Sequence, residues 1–117
     1  MAEAWARRRW PTAAIRSAGI RVIEDSHTVA SEAVDAMKVF DIDVGDHVPT
    51  RISDVDLAQF DTIIALDKDV ADFLSETYRL PFGRVLAMHI EDPFGSDFHE
   101  YLTCARQIRQ AVRALRI

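Results

Sequence analysis

Segments in which apolar residues recur every three or four positions alternate along the chain with short segments that are continuously apolar. The first spacing places apolar side chains on one face of an α-helix, whereas a continuous apolar run indicates a strand covered on both faces, as in a parallel sheet. The predicted helices are residues 2–10, 28 or 31 to 40, 68–78 and 97–115, and the predicted strands are residues 13–18, 61–67 and 84–89. This alternation predicts an α/β fold of three layers, α/β/α, with a parallel sheet and right-handed crossovers.

Turn and cap residues lie between these segments. Residues 41–49 form a connector that turns at Gly45. Thr28 or Ser31 is the predicted N-cap of the second helix, because a hydroxyl oxygen accepts a hydrogen bond from the first helical turn. For the same reason, Ser53 is the predicted cap of a short helix that ends at Ala58.

The length of 117 residues predicts a single domain, residues 1–117. The net charge of −5 argues against a general nucleic-acid binder, whose affinity depends on a surplus of Lys and Arg. No segment approaches the roughly 20 consecutive apolar residues of a membrane helix, and Trp-Pro-Thr at 10–12 follows the basic run where a signal peptide would be apolar. One cysteine fits a reducing compartment. We therefore expect a cytoplasmic protein that binds neither nucleic acid nor membranes.

Asp92 is the strongest candidate for catalysis from the residue pattern alone. It follows a predicted buried strand, and ligands of open parallel sheets bind beyond the carboxyl ends of the strands. A carboxyl group in that position is suited to general-acid catalysis. The alternative is a turn aspartate that hydrogen-bonds its own backbone. Asp67 and the Ser-Ala-Gly segment at 17–19 follow the other two predicted strands.

The remaining reactive residue types do not form a motif. The histidines are His27, His47, His89 and His99. None is spaced from another as in an H-x-x-x-H zinc motif, so we expect neither a metal nor any other cofactor. Cys104 lies on the apolar side of the last predicted helix, which favours a buried structural thiol over a nucleophile.

Several segments resemble the low-molecular-weight protein tyrosine phosphatases, and the likeness covers almost the whole chain. They are Ser-Ala-Gly at 17–19, residues 33–47, residues 54–67, and Asp-Pro-Phe-Gly at 92–95 leading to Tyr101. The Asp-Pro-Phe-Gly sequence resembles bacterial members of the family, including the protein arginine phosphatases.

The resemblance implies roles for individual residues. Asp92 matches the acid that protonates the leaving group, and Ser17 matches a residue that supports the phosphate loop. The crevice beside the acid would be lined by Phe94, Phe98 and Asp67. A strand-end turn is the alternative for Ser17, and aromatic packing is the alternative for the two phenylalanines.

One part of the family pattern has no counterpart in this sequence. Family members begin with a central strand and a phosphate loop, Cys-x5-Arg followed by Ser or Thr, which commonly leads into Pro-Met-Ala-Glu-Ala. This chain begins with Met-Ala-Glu-Ala at 1–4, and no such loop surrounds Cys104. We therefore expect an N-terminally shortened family member that is inactive by itself. The match of Met1 to an internal family methionine suggests a shortened gene model, and a naturally shortened protein is the alternative. His47 and Arg51 match a polar pair for which the resemblance implies a structural role.

Three functions stay open at this point. The complete protein would hydrolyse phosphoproteins, with phosphotyrosine and phosphoarginine both open as substrates. The alternative is a non-catalytic pseudophosphatase that binds a protein partner or a second copy of itself through strand edges left unpaired. A degraded fragment without function is the third. The strands near Ile63 and Val85 are expected to pair in parallel in each case. The thioredoxin-coupled arsenate reductases of this fold use extra cysteines, which this sequence lacks.

Overall fold

A computed structural model describes residues 1–20, 29–81 and 83–116 of the chain. The helices are α1 Ala2–Arg9, α2 Ser31–Lys38, α3 Lys68–Tyr78 and α4 Phe98–Ala114, and the strands are β1 Ile63–Ala65 and β2 Val85–Ala87. Two short 3-10 helices occupy Ile52–Asp54 and Leu57–Gln59. The chain divides into two compact units, the first formed by Met1–Val55 and Pro93–Leu115, and the second by Asp56–Asp92 with Arg116. The single-domain prediction stays a prediction.

Helix α4 is the centre of the first unit and packs against both α1 and α2. Its buried residues lie on one face: Tyr101, Cys104, Ala105, Ile108 and Val112. The predicted spacing of apolar residues is therefore confirmed. Complete burial of one aliphatic side chain such as Ile108 stabilises the fold by about 1.5 to 3 kcal/mol, so this face accounts for much of the stability of the unit.

The second unit contains a two-stranded parallel sheet with α3 packed on it. Ile63 pairs with Val85 and Ala65 pairs with Ala87, which confirms the predicted parallel pairing. Helix α3 has the predicted bounds, 68–78. An Asp67 carboxylate oxygen caps its start by accepting a hydrogen bond from the Val70 N–H at 2.8 Å. The α/β class with a parallel sheet is thus confirmed.

The predicted strand at 13–18 is wrong, since none of these residues is in a strand. Backbone groups that a sheet would pair are bound instead by side chains of α1. The Arg7 guanidinium donates to the Ile15 carbonyl at 2.7 Å, and the Ser17 N–H donates to Glu3 Oε1 at 2.9 Å. Gly19, which follows the segment, forms an isolated parallel bridge with Arg51.

The predicted cap residues also need correction. Ser53 lies inside the first 3-10 helix, and a carboxylate oxygen of Asp56 caps the second at 3.2 Å from the Ala58 nitrogen. Ser31 is the first residue of α2, and its hydroxyl bonds to the Glu32 carboxylate at 3.3 Å instead of capping the helix. The other predicted cap, Thr28, lies outside the described residues.

Candidate functional site

Glu3 organises a polar cluster in the first unit. Its side chain is only 19% exposed, and its Oε1 accepts hydrogen bonds from the Ser17 backbone N–H at 2.9 Å and the Ser17 hydroxyl at 3.3 Å. Its Oε2 lies 3.4 Å from His47 Nδ1 and 3.7 Å from Arg7 Nε. One carboxylate therefore joins α1 to two separate loop segments.

The loop segments held by Glu3 are also tied to each other. The Gly19 N–H donates to the Thr50 carbonyl at 2.8 Å, and the Ile52 N–H donates to the Gly19 carbonyl at 3.0 Å. Ser17 precedes this double contact by two residues, and Arg51 lies within it. The backbone bonds fix the path of both loops, so the Ser17 hydroxyl and His47 have defined positions relative to Glu3.

The position of Asp92 is set by the strand ends in the second unit. Beyond β2, the Met88 N–H donates to the Ala65 carbonyl at 2.8 Å and the Ile90 N–H donates to the Leu66 carbonyl at 2.9 Å. The carboxyl ends of β1 and β2 therefore lie at one edge of the sheet. Asp92 follows this ladder by two residues and is exposed.

The residues after Asp92 form a tight turn in the first unit. The Ser96 N–H donates to the Pro93 carbonyl at 2.8 Å, and Gly95 has φ of 83°, the combination found in a type II turn. Phe94 occupies the second position of the turn and is 74% exposed. The turn leads into α4, where an Asp97 carboxylate oxygen accepts from the Glu100 N–H at 3.0 Å.

Two other predicted crevice residues have structural contacts. Phe98 packs against the cluster of Ala33, Ala36 and Tyr101, which joins α2 to α4. Asp67 is half-buried, and one of its oxygens caps α3. Core packing accounts for a phenylalanine at position 98, and helix capping accounts for an aspartate at position 67.

Cys104 is buried in α4, as predicted, with 5% of its surface exposed. Six positions further along the chain, where a Cys-x5-Arg loop would have arginine, the residue is Gln110. Burial lowers the pKa of the Met1 amino group, while its electrostatic interactions with Cys104 and Glu3 oppose that shift. The described residues include no group of three His, Cys, Asp or Glu side chains placed to hold a metal ion. Within the same ranges, no helix is long and apolar enough to cross a membrane.

Glu3 is the residue that sequence reasoning missed. The signal was present: a single acid in the first turn of a helix, four residues before the first of three arginines. An acid at that position is favoured by the helix dipole and pairs with Arg7 one turn later. That local explanation concealed its long-range bonds to Ser17 and His47, which depend on how the chain returns to α1.

With this geometry established, comparison with known proteins places the chain. Residues 1–116 match the family described as low molecular weight phosphotyrosine protein phosphatase. The chain belongs to this family. It is 31% identical, over 123 residues, to an arsenate reductase of Staphylococcus xylosus, and the match covers the whole of this chain and 86% of that protein.

Solved structures show the same fold. The tyrosine phosphatase Wzb of Escherichia coli K30, in complex with sulphate, superimposes with a TM-score of 0.86 at 19% identity, covering 96% of this chain and 82% of that one. The YwlE arginine phosphatase, as a mutant with a phosphorylated active-site serine, gives 0.82 at 18% identity, covering 96% and 81%. At such identities the likeness is one of fold.

Proposed function

We propose that this chain carries the acid and loop-supporting part of a low-molecular-weight phosphatase site, and that the 117 residues by themselves do not hydrolyse phosphomonoesters. The observation that supports this proposal is the environment of the one cysteine. Cys104 is buried in a helix, and Gln110 stands where a Cys-x5-Arg loop would need arginine. A nucleophilic thiolate requires an accessible, polar site.

The family reaction requires a nucleophile, a phosphate-binding loop and an acid. In the family reaction a thiolate attacks phosphorus, and loop amides with an arginine hold the equatorial oxygens. The leaving atom, oxygen in phosphotyrosine and nitrogen in phosphoarginine, takes a proton from the acid, which is Asp92 in this proposal. Ser17, whose backbone N–H donates to Glu3 Oε1 at 2.9 Å, is the loop support in this proposal.

For the chain completed by such a loop, hydrolysis of phosphoproteins is a better proposal than arsenate reduction, although one relative is named an arsenate reductase. Reduction of arsenate by members of this fold uses several cysteines, and this sequence has Cys104 alone. General-acid catalysis by Asp92 requires no further thiol. Phosphotyrosine and phosphoarginine are the two candidate substrates, and a direct comparison of their hydrolysis rates distinguishes them.

The test is a chimera in which the strand and Cys-x5-Arg loop of Escherichia coli K30 Wzb are fused ahead of Met1. We expect this chimera to hydrolyse p-nitrophenyl phosphate and a phosphotyrosine or phosphoarginine peptide. Asp92→Asn should lower kcat by about 10²- to 10⁴-fold, the usual contribution of a general acid.

The matched control is Asp97→Asn in the same chimera. It makes the same chemical change five residues away, and asparagine caps a helix about as well as aspartate does. Equal losses in the two variants would contradict the role of Asp92. A folded chimera without turnover would instead favour the non-catalytic binding module.

A further inference from the structure

The charge of this acidic chain is distributed unevenly. Residues 2–9 and 98–116, which contain α1 and α4, carry seven arginines against two acids, Glu3 and Glu100. The remainder carries seven basic and 17 acidic residues. Because α1 and α4 pack together, the six arginines within these two helices form one basic region on the first unit, whereas Arg116 belongs to the second unit. An anionic partner would be attracted to this region and repelled elsewhere.

A groove runs along the exposed side of α4 within this region. It has a volume of about 430 Å³ and is lined by Thr103, Arg106, Gln107, Arg109, Gln110 and Arg113. None of these lining residues is acidic. Guanidinium groups bind carboxylates and phosphates through paired hydrogen bonds, and the glutamine amides add further donors. The groove therefore has the chemistry of an anion-binding surface.

Aromatic rings hold one of these arginines in position. The Arg109 guanidinium carbon lies 4.9 Å from the centre of the Phe40 ring and 5.7 Å from that of Trp5. Trp5 is buried and packs edge-to-face on Phe40 with ring centres 5.0 Å apart. The Arg8 guanidinium lies beside the same indole at 5.7 Å. A cation fixed in this way loses less conformational entropy when it binds an anion.

The spacing of the arginines fits an extended peptide. At 1.5 Å per residue, the Cα atoms of Arg106 and Arg113 lie about 10.5 Å apart along the helix axis. A chain in the extended polyproline II conformation rises about 3.1 Å per residue with three residues per turn, so side chains three positions apart lie on one side, about 9.3 Å from each other. Acids at this spacing would meet Arg106 and Arg113, with Arg109 between them. We propose that this groove is a docking surface for an acidic polypeptide segment of a partner protein.

The charge distribution favours a short peptide over the other anionic occupants. A nucleic-acid duplex carries a charge about every 1.7 Å along its whole length, so most of its charge would lie beyond the groove, and the net charge of −5 of the chain opposes its approach. A second copy of this chain has a net charge of −5, which opposes self-association. A short segment delivers its charge to the groove alone. This surface does not involve Asp92.

The test is fluorescence anisotropy with a labelled peptide of about ten residues that has Glu at every third position, the spacing that places acids on one side of a polyproline II chain. The variant Arg106→Gln/Arg113→Gln should weaken binding roughly 2- to 30-fold, the sum expected for two exposed ion pairs. Both residues are exposed, and glutamine preserves helix propensity, so circular dichroism should be unchanged. The control Arg16→Gln/Lys38→Gln removes two exposed charges from the same unit and should change binding by less than about 2-fold.

Several results would overturn the proposal. If both double variants weakened peptide binding equally, the peptide would be attracted by the overall charge of the unit and not bound at this groove. Absence of peptide binding at low salt would remove the docking surface altogether. Tighter binding of a single-stranded oligonucleotide, lost in Arg106→Gln/Arg113→Gln, would identify nucleic acid as the ligand. Self-association that depends on the same two arginines, without peptide binding, would identify a second copy.

Discussion

Replacement of Glu3 by alanine removes the carboxylate that joins α1 to the loops containing Ser17 and His47. The bond from the Ser17 N–H, at 2.9 Å to a side chain only 19% exposed, is the largest loss. A hydrogen bond to a charged group contributes about 1.5 to 3 kcal/mol. The more exposed pair with Arg7 adds less than about 0.5 kcal/mol, and the helix propensity of alanine offsets a few tenths.

We therefore expect Glu3→Ala to lower the free energy of unfolding by about 2 kcal/mol, which corresponds to roughly 6 to 10 °C in Tm. Glu3→Gln keeps an oxygen acceptor for the Ser17 N–H and should lose about half as much. Urea unfolding followed by circular dichroism gives both values. The proton resonances of the Ser17 amide and the His47 ring should also shift in both variants, since both groups lie beside this side chain.

The matched control is Glu76→Ala in α3. Glu76 is exposed on a helix, so its loss should change stability by less than about 0.5 kcal/mol. If Glu3→Ala were as stable as Glu76→Ala, the Glu3 cluster would make no net contribution to the fold. The reasoning about Ser17 would then be refuted.

Three further variants test individual contacts by urea unfolding. Asp67→Ala removes the carboxylate that accepts from Val70 at the start of α3 and should cost about 1 kcal/mol, whereas Asp67→Asn should cost much less; equal costs would contradict capping. Gly95→Ala places a side chain at φ of 83° with no atom within 4 Å of it, so strain alone should cost about 1 to 2 kcal/mol, and an unchanged midpoint would dispute the turn. Ile108→Ala leaves a cavity in place of a side chain that is 1% exposed and should cost about 2 to 5 kcal/mol; a loss below about 1 kcal/mol would argue against that core.

The sequence predicted the elements whose signals are local. Helix α3 has its predicted bounds because Asp67 provides a cap at one end and Arg79 adopts a left-handed conformation at the other, with φ of 50°. The buried face of α4 was predicted because its apolar residues recur every three or four positions, a pattern that is local to the helix. Strands β1 and β2 pair as expected because both are continuously apolar.

The errors occurred where distant contacts decide the structure. Residues 13–18 have a strand-like composition, but side chains of Glu3 and Arg7 bind their backbone groups in place of a neighbouring strand. The side-chain cap of the 3-10 helix Leu57–Gln59 is Asp56 and not Ser53. A helix of three residues is too short for residue propensities to predict where it starts. The candidate Asp92 came from its position after a buried strand, and the role of Ser17 came from family resemblance, whereas the contacts of Glu3 required the fold.

The central claim is that the chain belongs to the low-molecular-weight phosphatases and holds its one thiol away from any catalytic loop. Its most direct test is turnover of p-nitrophenyl phosphate and a phosphotyrosine peptide by the 117-residue chain. We predict a rate no higher than that of buffer alone. Steady hydrolysis by the purified chain, abolished by Cys104→Ser, would contradict the account.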